Sequence, residues 1–360
     1  MTSLGSHRPG TPGILDVAER AGVSGATVSR VFTGADPVRP QTRERVLVAA
    51  RELGFIRNRP AAGLHGRRSG SVGLIVPTID NAIFSEMIQA FSTRLHEHEV
   101  TMLIATHDYD VDREVALVRS LLERRIDALA LIGRDHDPVV LQMLAVRNVP
   151  LVSLWNSGGD AGVPFVGADN RAAGRLAAEH LIRLGHRDIA LLFPDTRGND
   201  RAADRLAGAH DALRAAGIVV PHHRQRLCPY DMLAAKTLTE ELLGHTDRPG
   251  AIIGGNDVIA VGALHGARRA GIDVPRALSV IGIGDFKGSA AVEPGLSTVR
   301  LPARRIGTLG ADALIARLNA TAPEPVAGTV LDCTFVARAS TGPVSDSSSG
   351  AARTAKQAQA

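Results

Sequence analysis

The chain has 360 residues, of which 44% are hydrophobic, 22% are charged and only 3% are aromatic, so its core must be built mainly from aliphatic side chains. No apolar run reaches the roughly 18 residues that cross a bilayer, and the N-terminal stretch lacks the apolar segment of a secretory signal; both features argue against membrane and exported proteins. Two cysteines, Cys228 and Cys333, are too few for a disulfide framework and favour a reducing cytoplasm.

The first 70 residues are strongly basic. They carry eleven arginines, no lysine and five acidic residues, a net charge of +6, whereas the whole chain carries +4. A basic module attached to a larger, nearly neutral part indicates a polyanionic partner for that module. Residues 1–12 are rich in Gly, Pro, Ser and Thr, a composition that predicts a disordered N-terminus.

Three short helices are predicted within residues 13–57. The first has apolar residues at helical spacing and ends at Gly22. Ser24 is a favourable N-cap for the second helix. Pro40 suits the first turn of the third helix, because the N–H that proline lacks would have no partner there, and Gly54 ends that helix.

The first two helices have the spacing of a helix-turn-helix motif. A tight turn at residues 21–23 joins them, and Gly22 can take the left-handed conformation that such a turn needs. The early exposed positions of the second helix would face the major groove of DNA, where Arg30 can donate two hydrogen bonds to guanine. Residues 13–57 are therefore predicted to form an all-α helix-turn-helix DNA-binding domain.

From residue 71 the pattern changes to short apolar runs that alternate with amphipathic helices. This alternation predicts parallel sheets built from βαβ units, and it is too long for one compact unit. We therefore expect an α/β core of two lobes at 71–342. A linker rich in Gly, Pro and Arg precedes it at 58–70, and a disordered tail rich in Ser and Ala follows at 343–360.

A series of fragments carries a resemblance to a known family. In chain order they read DVAERAGVSGATVSRV, TRERVLVAARELGF, VGLIVP, DRLAG, AIIGGNDVIAVGAL, VIGIGDF and LSTVRLP. Together they resemble the lactose-repressor (LacI/GalR) family of bacterial transcription regulators over residues 13–342. The resemblance implies a dimer that binds a palindromic operator in double-stranded DNA. It also implies a core with the periplasmic-binding-protein fold and a small-molecule effector between its lobes, which would comprise about 71–167 with 301–330, and 168–300 with 331–342.

The resemblance assigns DNA contacts to the second helix. Gly25, Ala26 and Arg30 fall on base-reading positions. Since Gly25 has no side chain and Ala26 offers only a methyl group, direct readout would depend mostly on Arg30. The positions that hold the DNA backbone fall on Ser24, Thr27 and Ser29.

A second DNA contact is implied in the linker. The family forms a short helix on cognate DNA at residues that match Asn58–Arg67, and Leu64 falls on the position that is wedged into a base step of the minor groove. Arg59 would contact phosphate. Pro60 stands where the family commonly has an aliphatic residue, and it is compatible with the first turn of that helix.

The family's effector pocket falls on eight positions of the core. They are Ile83, Phe84, Trp155, Arg201, Arg205, Tyr230, Asn256 and Asp285. Arg205 would donate hydrogen bonds to polar groups of the ligand, Phe84 and Tyr230 would offer stacking faces, and Asn256 would either bond a ligand hydroxyl or shape its turn. Sugar-binding members commonly carry acids where this chain has Trp155 and Gly284. The effector could be a sugar, a sugar phosphate, a nucleoside or a small acid, and the missing acids favour an anionic or aromatic ligand more than in a typical member.

Other functions are less well supported by the sequence. A dinucleotide-binding loop after Gly282 would need a glycine at position 287, which is Lys287. The motifs of P-loop, zinc-protease, serine-hydrolase and dithiol chemistry are lacking in the sequence. We therefore expect no enzyme, no cofactor and no metal. A cytoplasmic solute-binding protein would not need the helical module. A repressor of a catabolic or transport operon, located in the cytoplasm at the nucleoid, is the main hypothesis, and an activator of the same architecture is the alternative. Because the tail has no Leu for the heptads of family tetramers, we expect a homodimer.

Overall fold

The computed structural model describes residues 11–33, 37–56, 68–80, 82–158, 162–320 and 328–344. The chain divides into a small unit, Met1–Ser69, and a large unit, Gly70–Ala360, and each has its own apolar core. Most of the predicted linker (58–67) and most of the predicted disordered ends (1–10 and 345–360) lie outside the described residues. None of the described helices has both the length and the hydropathy of a membrane span.

The small unit contains the three predicted helices. They are α1 (Ile14–Ala21), α2 (Gly25–Thr33) and α3 (Pro40–Leu53). Val17, Val28 and Val46 are fully buried where the helices meet, surrounded by small alanines. The core is therefore aliphatic, as the composition predicts.

The turn between α1 and α2 has the chemistry expected from its sequence. Gly22 ends α1 with φ of 64°, in the left-handed region that glycine adopts most easily. Ser24 Oγ accepts a hydrogen bond from the N–H of Thr27 at 3.2 Å, which confirms Ser24 as the N-cap of α2. Asp16 accepts from the N–H of Gly13 at 2.6 Å at the start of α1. Both helix starts are thus fixed by local side chains.

The large unit contains two six-stranded sheets flanked by helices. The strands are β1 (Ser71–Val76), β2 (Thr101–Thr106), β3 (Ala128–Ile132), β4 (Leu151–Asn156), β5 (Phe165–Ala168), β6 (Ile189–Phe193), β7 (Gln225–Leu227), β8 (Ala251–Gly254), β9 (Ser279–Gly284), β10 (Ser297–Arg300), β11 (Thr329–Leu331) and β12 (Thr334–Val336). The helices are α4 (Ala82–Glu97), α5 (Glu114–Glu123), α6 (Pro138–Val146), α7 (Asn170–Arg183), α8 (Asp200–Ala215), α9 (Met232–Gly244), α10 (Asp257–Arg269) and α11 (Ala303–Asn319).

Each sheet forms the centre of one lobe, and the chain crosses between the two lobes more than once. The first lobe has the strand order β11-β5-β4-β3-β1-β2, and the second has β12-β10-β9-β8-β6-β7. The described pairs are parallel except β10 with β12, which is antiparallel. Strands β5 and β11 end at Ala168 and Leu331, one residue beyond the lobe boundaries expected from the sequence.

Five short strands, β5, β7, β10, β11 and β12, were not predicted. The reason is clearest in β10, where Ser297 and Thr298 are fully buried although both are polar. Tertiary contacts satisfy their hydroxyls: Thr298 donates to Asp257, and Ser297 bonds Thr341 at 2.9 Å. Such a strand has no apolar pattern to detect, because its burial depends on partners far along the chain.

Helices α7 and α8 pack closely enough to place the arginines of α8 at the lobe interface. Gly174 of α7 and Gly208 of α8 stand where they cross. A Cβ atom at Gly174 would lie 1.8 Å from the backbone oxygen of Arg205, and one at Gly208 would lie 1.9 Å from that of Arg171. This close approach holds the first turns of α8 against the rest of the second lobe.

Candidate functional site

The predicted DNA-reading residues lie on the outer side of α2. Ala26, Ser29 and Arg30 are exposed and follow one another at i, i+3 and i+4, so they share a helix face. Val28 and Val31 face the other way and are buried. Of the other predicted DNA-contact residues in this segment, Ser24 is exposed, and Gly25 and Thr27 are half-exposed.

Contacts within the small unit fix the orientation of this face. Arg20 of α1 donates to Glu52 of α3 at 2.7 Å, and the rings of Phe32 and Phe55 lie 5.5 Å apart. The face is therefore presented by three mutually packed helices. The two linker residues predicted to contact DNA, Arg59 and Leu64, lie outside the described residues.

A small cavity lies between the two lobes of the large unit. It is lined by Phe84, Tyr109, Trp155, Asn199, Arg201, Arg205, Tyr230, Asn256, Ile283 and Leu301. Six of these residues were predicted from the sequence; Tyr109, Asn199, Ile283 and Leu301 were not. Ile83 belongs to α4, but its side chain is outside the described part of the structure.

The polar residues reach the cavity from the ends of strands and the starts of helices. Arg201 and Arg205 stand one turn apart near the start of α8, and Asn256 is the N-cap of α10, just after β8. Trp155 lies near the carboxyl end of β4 in the other lobe. Carboxyl ends of parallel strands are where open α/β sheets bind ligands.

The guanidinium of Arg205 is held by three neutral oxygens. Its Nε donates to the backbone oxygen of Gly255 at 3.0 Å, Nη1 to Oδ1 of Asn170 at 2.8 Å, and Nη2 to the hydroxyl of Tyr230 at 3.1 Å. Only 5% of Arg205 is exposed. Arg205 therefore has a fixed orientation toward the cavity and does not belong to a surface ion pair.

Arg201 has a different environment, because a carboxylate lies beside it. Its Nη1 donates to Oδ1 of Asp200 at 2.6 Å, and both residues are buried. Burial alone would raise the pKa of Asp200, but the charge of Arg201 and hydrogen bonds from Asn156 and backbone N–H groups outweigh it and hold that pKa below its ordinary value. Arg201 and Asp200 thus form a neutralised pair.

Asp200 also joins the two lobes. Its Oδ2 accepts from the backbone N–H of Arg134 at 2.8 Å and from Nδ2 of Asn156 at 3.0 Å, both in the first lobe. The Arg134 guanidinium forms an ion pair with Asp204 at 2.9 Å. Gly133, with φ of 97°, allows this approach, since a Cβ there would lie 2.5 Å from Nη1 of Arg201.

Two aromatic pairs complete the cavity walls. The rings of Phe84 and Trp155 lie 5.1 Å apart in the first lobe. Tyr109 of the first lobe and Tyr230 of the second lie 5.6 Å apart across the gap. Trp155 and Tyr109 both have positive φ, 84° and 62°, a conformation that is costly for bulky residues and is often found at binding sites.

The structure corrects the expectation for Asp285, which does not line this cavity. Its carboxylate accepts from Arg300 at 2.7 Å and from Arg338 at 2.6 Å, so both of its oxygens are already bound. It borders a separate groove together with those two arginines. Because Asp285 follows Gly284 in the sequence, it was predicted to line the cavity. The two arginines that neutralise Asp285 are distant in sequence, so this pairing could not be predicted.

Asn199 and Asp200 carry a local signal that sequence reasoning missed. Asn199 Oδ1 accepts from the N–H of Ala202 at 3.3 Å, so Asn199 is the N-cap of α8, and Asp200 follows in the favourable first turn. An N-cap is thus recognisable in the sequence before the arginines. Among the described residues, no group of three or more His, Cys, Asp or Glu side chains is arranged to hold a metal ion.

Comparison with known proteins agrees with both parts of the chain. The sequence signature described as "Bacterial regulatory proteins, lacI family" matches residues 13–58, and that of the "Periplasmic binding protein-like domain" matches residues 178–341. The chain is 32% identical over 341 residues to the HTH-type transcriptional regulator GntR of Pseudomonas aeruginosa, an alignment that covers 92% of this chain and 96% of that regulator. The chain belongs to the LacI family. It is a DNA-binding transcriptional regulator, not an enzyme.

Solved structures of LacI-family regulators have the same fold. A LacI-family regulator from Silicibacter pomeroyi superposes with a TM-score of 0.84 at 26% identity, covering 92% of this chain and 99% of its own. The lac repressor dimer bound to operator and the anti-inducer ONPF superposes with a TM-score of 0.79 at 28% identity, with the same coverage. The predicted family and fold are confirmed.

Proposed function

We propose that this LacI-family regulator is a homodimeric repressor that binds a palindromic operator of roughly 14–20 base pairs and responds to a small-molecule effector in the interlobe cavity. The target would be a catabolic or transport operon. Because its partner is chromosomal DNA, the protein would act in the cytoplasm, at the nucleoid. The lac repressor, a dimer on its operator, is the structural relative that supports this reading most directly.

One observation carries the effector proposal: two buried arginines, two buried asparagines and four aromatic rings surround one cavity between two lobes. A protein that only needed a stable core would fill such a space with aliphatic side chains, since burying polar groups costs free energy unless they have partners. The polar lining therefore supports a ligand site.

Coupling between effector and DNA would follow from lobe closure. Asp200 contacts Arg134 and Asn156 across the gap, next to Arg201 in the cavity wall. An effector that binds the closed arrangement more tightly would shift the lobes toward it. The change would reach DNA through the segments that connect the cores of the dimer to their helical units.

The test has two steps. A gel-shift selection from genomic fragments would identify the operator, with a steep loss of affinity as salt rises. A thermal-shift screen of sugars, sugar phosphates, nucleosides and small acids would identify the effector, which would then be added to the gel shift. Equal affinity for all fragments would contradict the first step, and a ligand that binds without changing operator affinity would contradict the second.

The direction of regulation is a separate question that a reporter assay answers. A reporter gene under the selected operator should be more active in a strain that lacks this regulator if the protein is a repressor. Lower activity in that strain would instead identify an activator of the same architecture.

A further inference from the structure

We infer that the interlobe cavity takes a small oxyanion, a carboxylate or a phosphate, in preference to a neutral sugar. This inference rests on the proposed function, because it names the effector class for the same site. It begins with a difference between two arginines. Asp200 neutralises Arg201, whereas the ion pairs of the described residues include no carboxylate beside Arg205. A buried cation without a counter-charge is costly, and an anionic ligand would remove that cost.

Three of the residues that line the cavity keep hydrogen-bond donors that the described bonds do not use. Oδ1 of Asn256 accepts from the N–H of Ile259 at 3.0 Å, whereas its Nδ2 has no partner in the described structure although the residue is only 3% exposed. The hydroxyl oxygen of Tyr230 accepts from Asn199 and from Arg205, both at 3.1 Å, so its proton remains to be donated. Arg205 has five N–H groups and uses three of them.

A ligand that matches this lining must accept several hydrogen bonds. Ionised carboxylates and phosphates accept only, and their bonds to charged donors are the stronger kind. A sugar hydroxyl must also donate, whereas the unused groups of Asn256, Tyr230 and Arg205 are all donors.

The variant Asn256→Asp should change the charge of the cavity while the chain stays folded. Aspartate keeps an oxygen for the N–H of Ile259 and is itself a favourable N-cap, but it replaces the Nδ2 donor with an anionic oxygen next to Gly255, which Arg205 contacts. Asn148→Asp is the matched control, because it makes the same charge change at an exposed loop position.

The readout uses the only tryptophan in the chain, Trp155, which lines the cavity. Inorganic phosphate, acetate and D-glucose would be titrated into the full chain at constant ionic strength while tryptophan emission and Tm are recorded. We expect a saturable emission change and a rise in Tm with at least one oxyanion in the unmodified protein and in Asn148→Asp. In Asn256→Asp the apparent Kd for that oxyanion should rise at least tenfold, and Tm in chloride reports whether this variant is folded.

Two results would overturn the inference. One is an unmodified protein in which neither oxyanion changes Trp155 emission. The other is an effector from the screen that is neutral and binds Asn256→Asp as tightly as the unmodified chain; the proposed function would then stand without the oxyanion class. If no ligand of any class altered operator binding, the proposed function itself would fail, whatever the phosphate titration gave.

Discussion

The two functional regions of this regulator differ in the burial of their polar side chains. In the small unit, Arg30 and Ser29 are exposed on a helix whose other face is a closed aliphatic core. In the large unit, Arg201 and Arg205 are 4% and 5% exposed and are held by other protein atoms. A mutation on the reading helix should therefore change binding alone, whereas a mutation in the cavity should change both stability and binding.

The largest effect is expected at Asp200. Asp200→Ala would leave buried Arg201 without its carboxylate and would remove the bonds to Arg134 and Asn156. The free energy of unfolding of the large unit should fall by about 3–5 kcal/mol, the cost of breaking a buried pair. Denaturant unfolding would measure it.

Asp195→Ala is the control for this prediction. Asp195 also pairs with an arginine, Arg197, at 2.5 Å, but 48% and 91% of the two side chains are exposed. Solvent screens such a pair, so this variant should lie close to the unmodified protein. Equal losses for the two aspartates would mean that burial does not distinguish the pairs as described.

Arg30→Ala should weaken binding to the selected operator by about 1–3 kcal/mol, because it removes the main base contact expected of the reading helix. Unfolding of the small unit should be unchanged, since the side chain lies outside the core. Gel shifts with operator and with random DNA would separate the two roles. An equal loss on both would assign Arg30 to phosphate contact.

Arg134→Ala tests whether contacts between lobes help to close the cavity. Its ion pair with Asp204 is partly exposed, at 36% and 17%, so we expect a loss of at most about 1 kcal/mol, or about fivefold, in effector affinity. Calorimetry would measure the change. Arg113→Ala, which breaks a pair with Asp110 within the first lobe, should leave effector affinity unchanged. A tighter-binding Arg134→Ala would mean that the contact holds the lobes in a form that disfavours the ligand.

The smallest effect is a pH dependence of stability in the second lobe. Burial, with nearby Arg183 and His186, lowers the pKa of His180 from 6.5 to about 4. Between these values the unfolded chain binds more protons, so this residue's contribution to stability is lost as pH falls from about 6.5 to about 4. His180→Gln should reduce the pH slope of unfolding in that window; an unchanged slope would show that His180 does not contribute to it.

The sequence was sufficient for the small unit because its determinants are local. Gly22 and Ser24 fix a turn within a few residues, and helical periodicity then identifies the buried and exposed faces. The α/β class of the core was also predictable, since near-continuous apolar runs mark β1, β3 and β6.

The cavity was predictable only in part, because its chemistry depends on partners that are distant in sequence. Motif position identified Arg205 but not that three neutral oxygens hold it. Asp285 was misplaced, since Arg300 and Arg338 come to it through strands β10 and the segment after β12. Family motifs therefore locate candidate residues, while their charge balance emerges only from the folded chain.

The most direct test of this account is the operator affinity of the full chain with and without the effector identified by the screen, measured by gel shift for the unmodified protein and for Asn256→Asp. The effector should change the operator Kd of the unmodified protein by about fivefold or more, and at the same effector concentration it should change that of Asn256→Asp much less. Lanes without effector report whether the variant binds DNA at all. An effector that left the operator Kd of the unmodified protein unchanged would contradict the cavity as the regulatory site, and a response of equal size in the two proteins would contradict the oxyanion assignment.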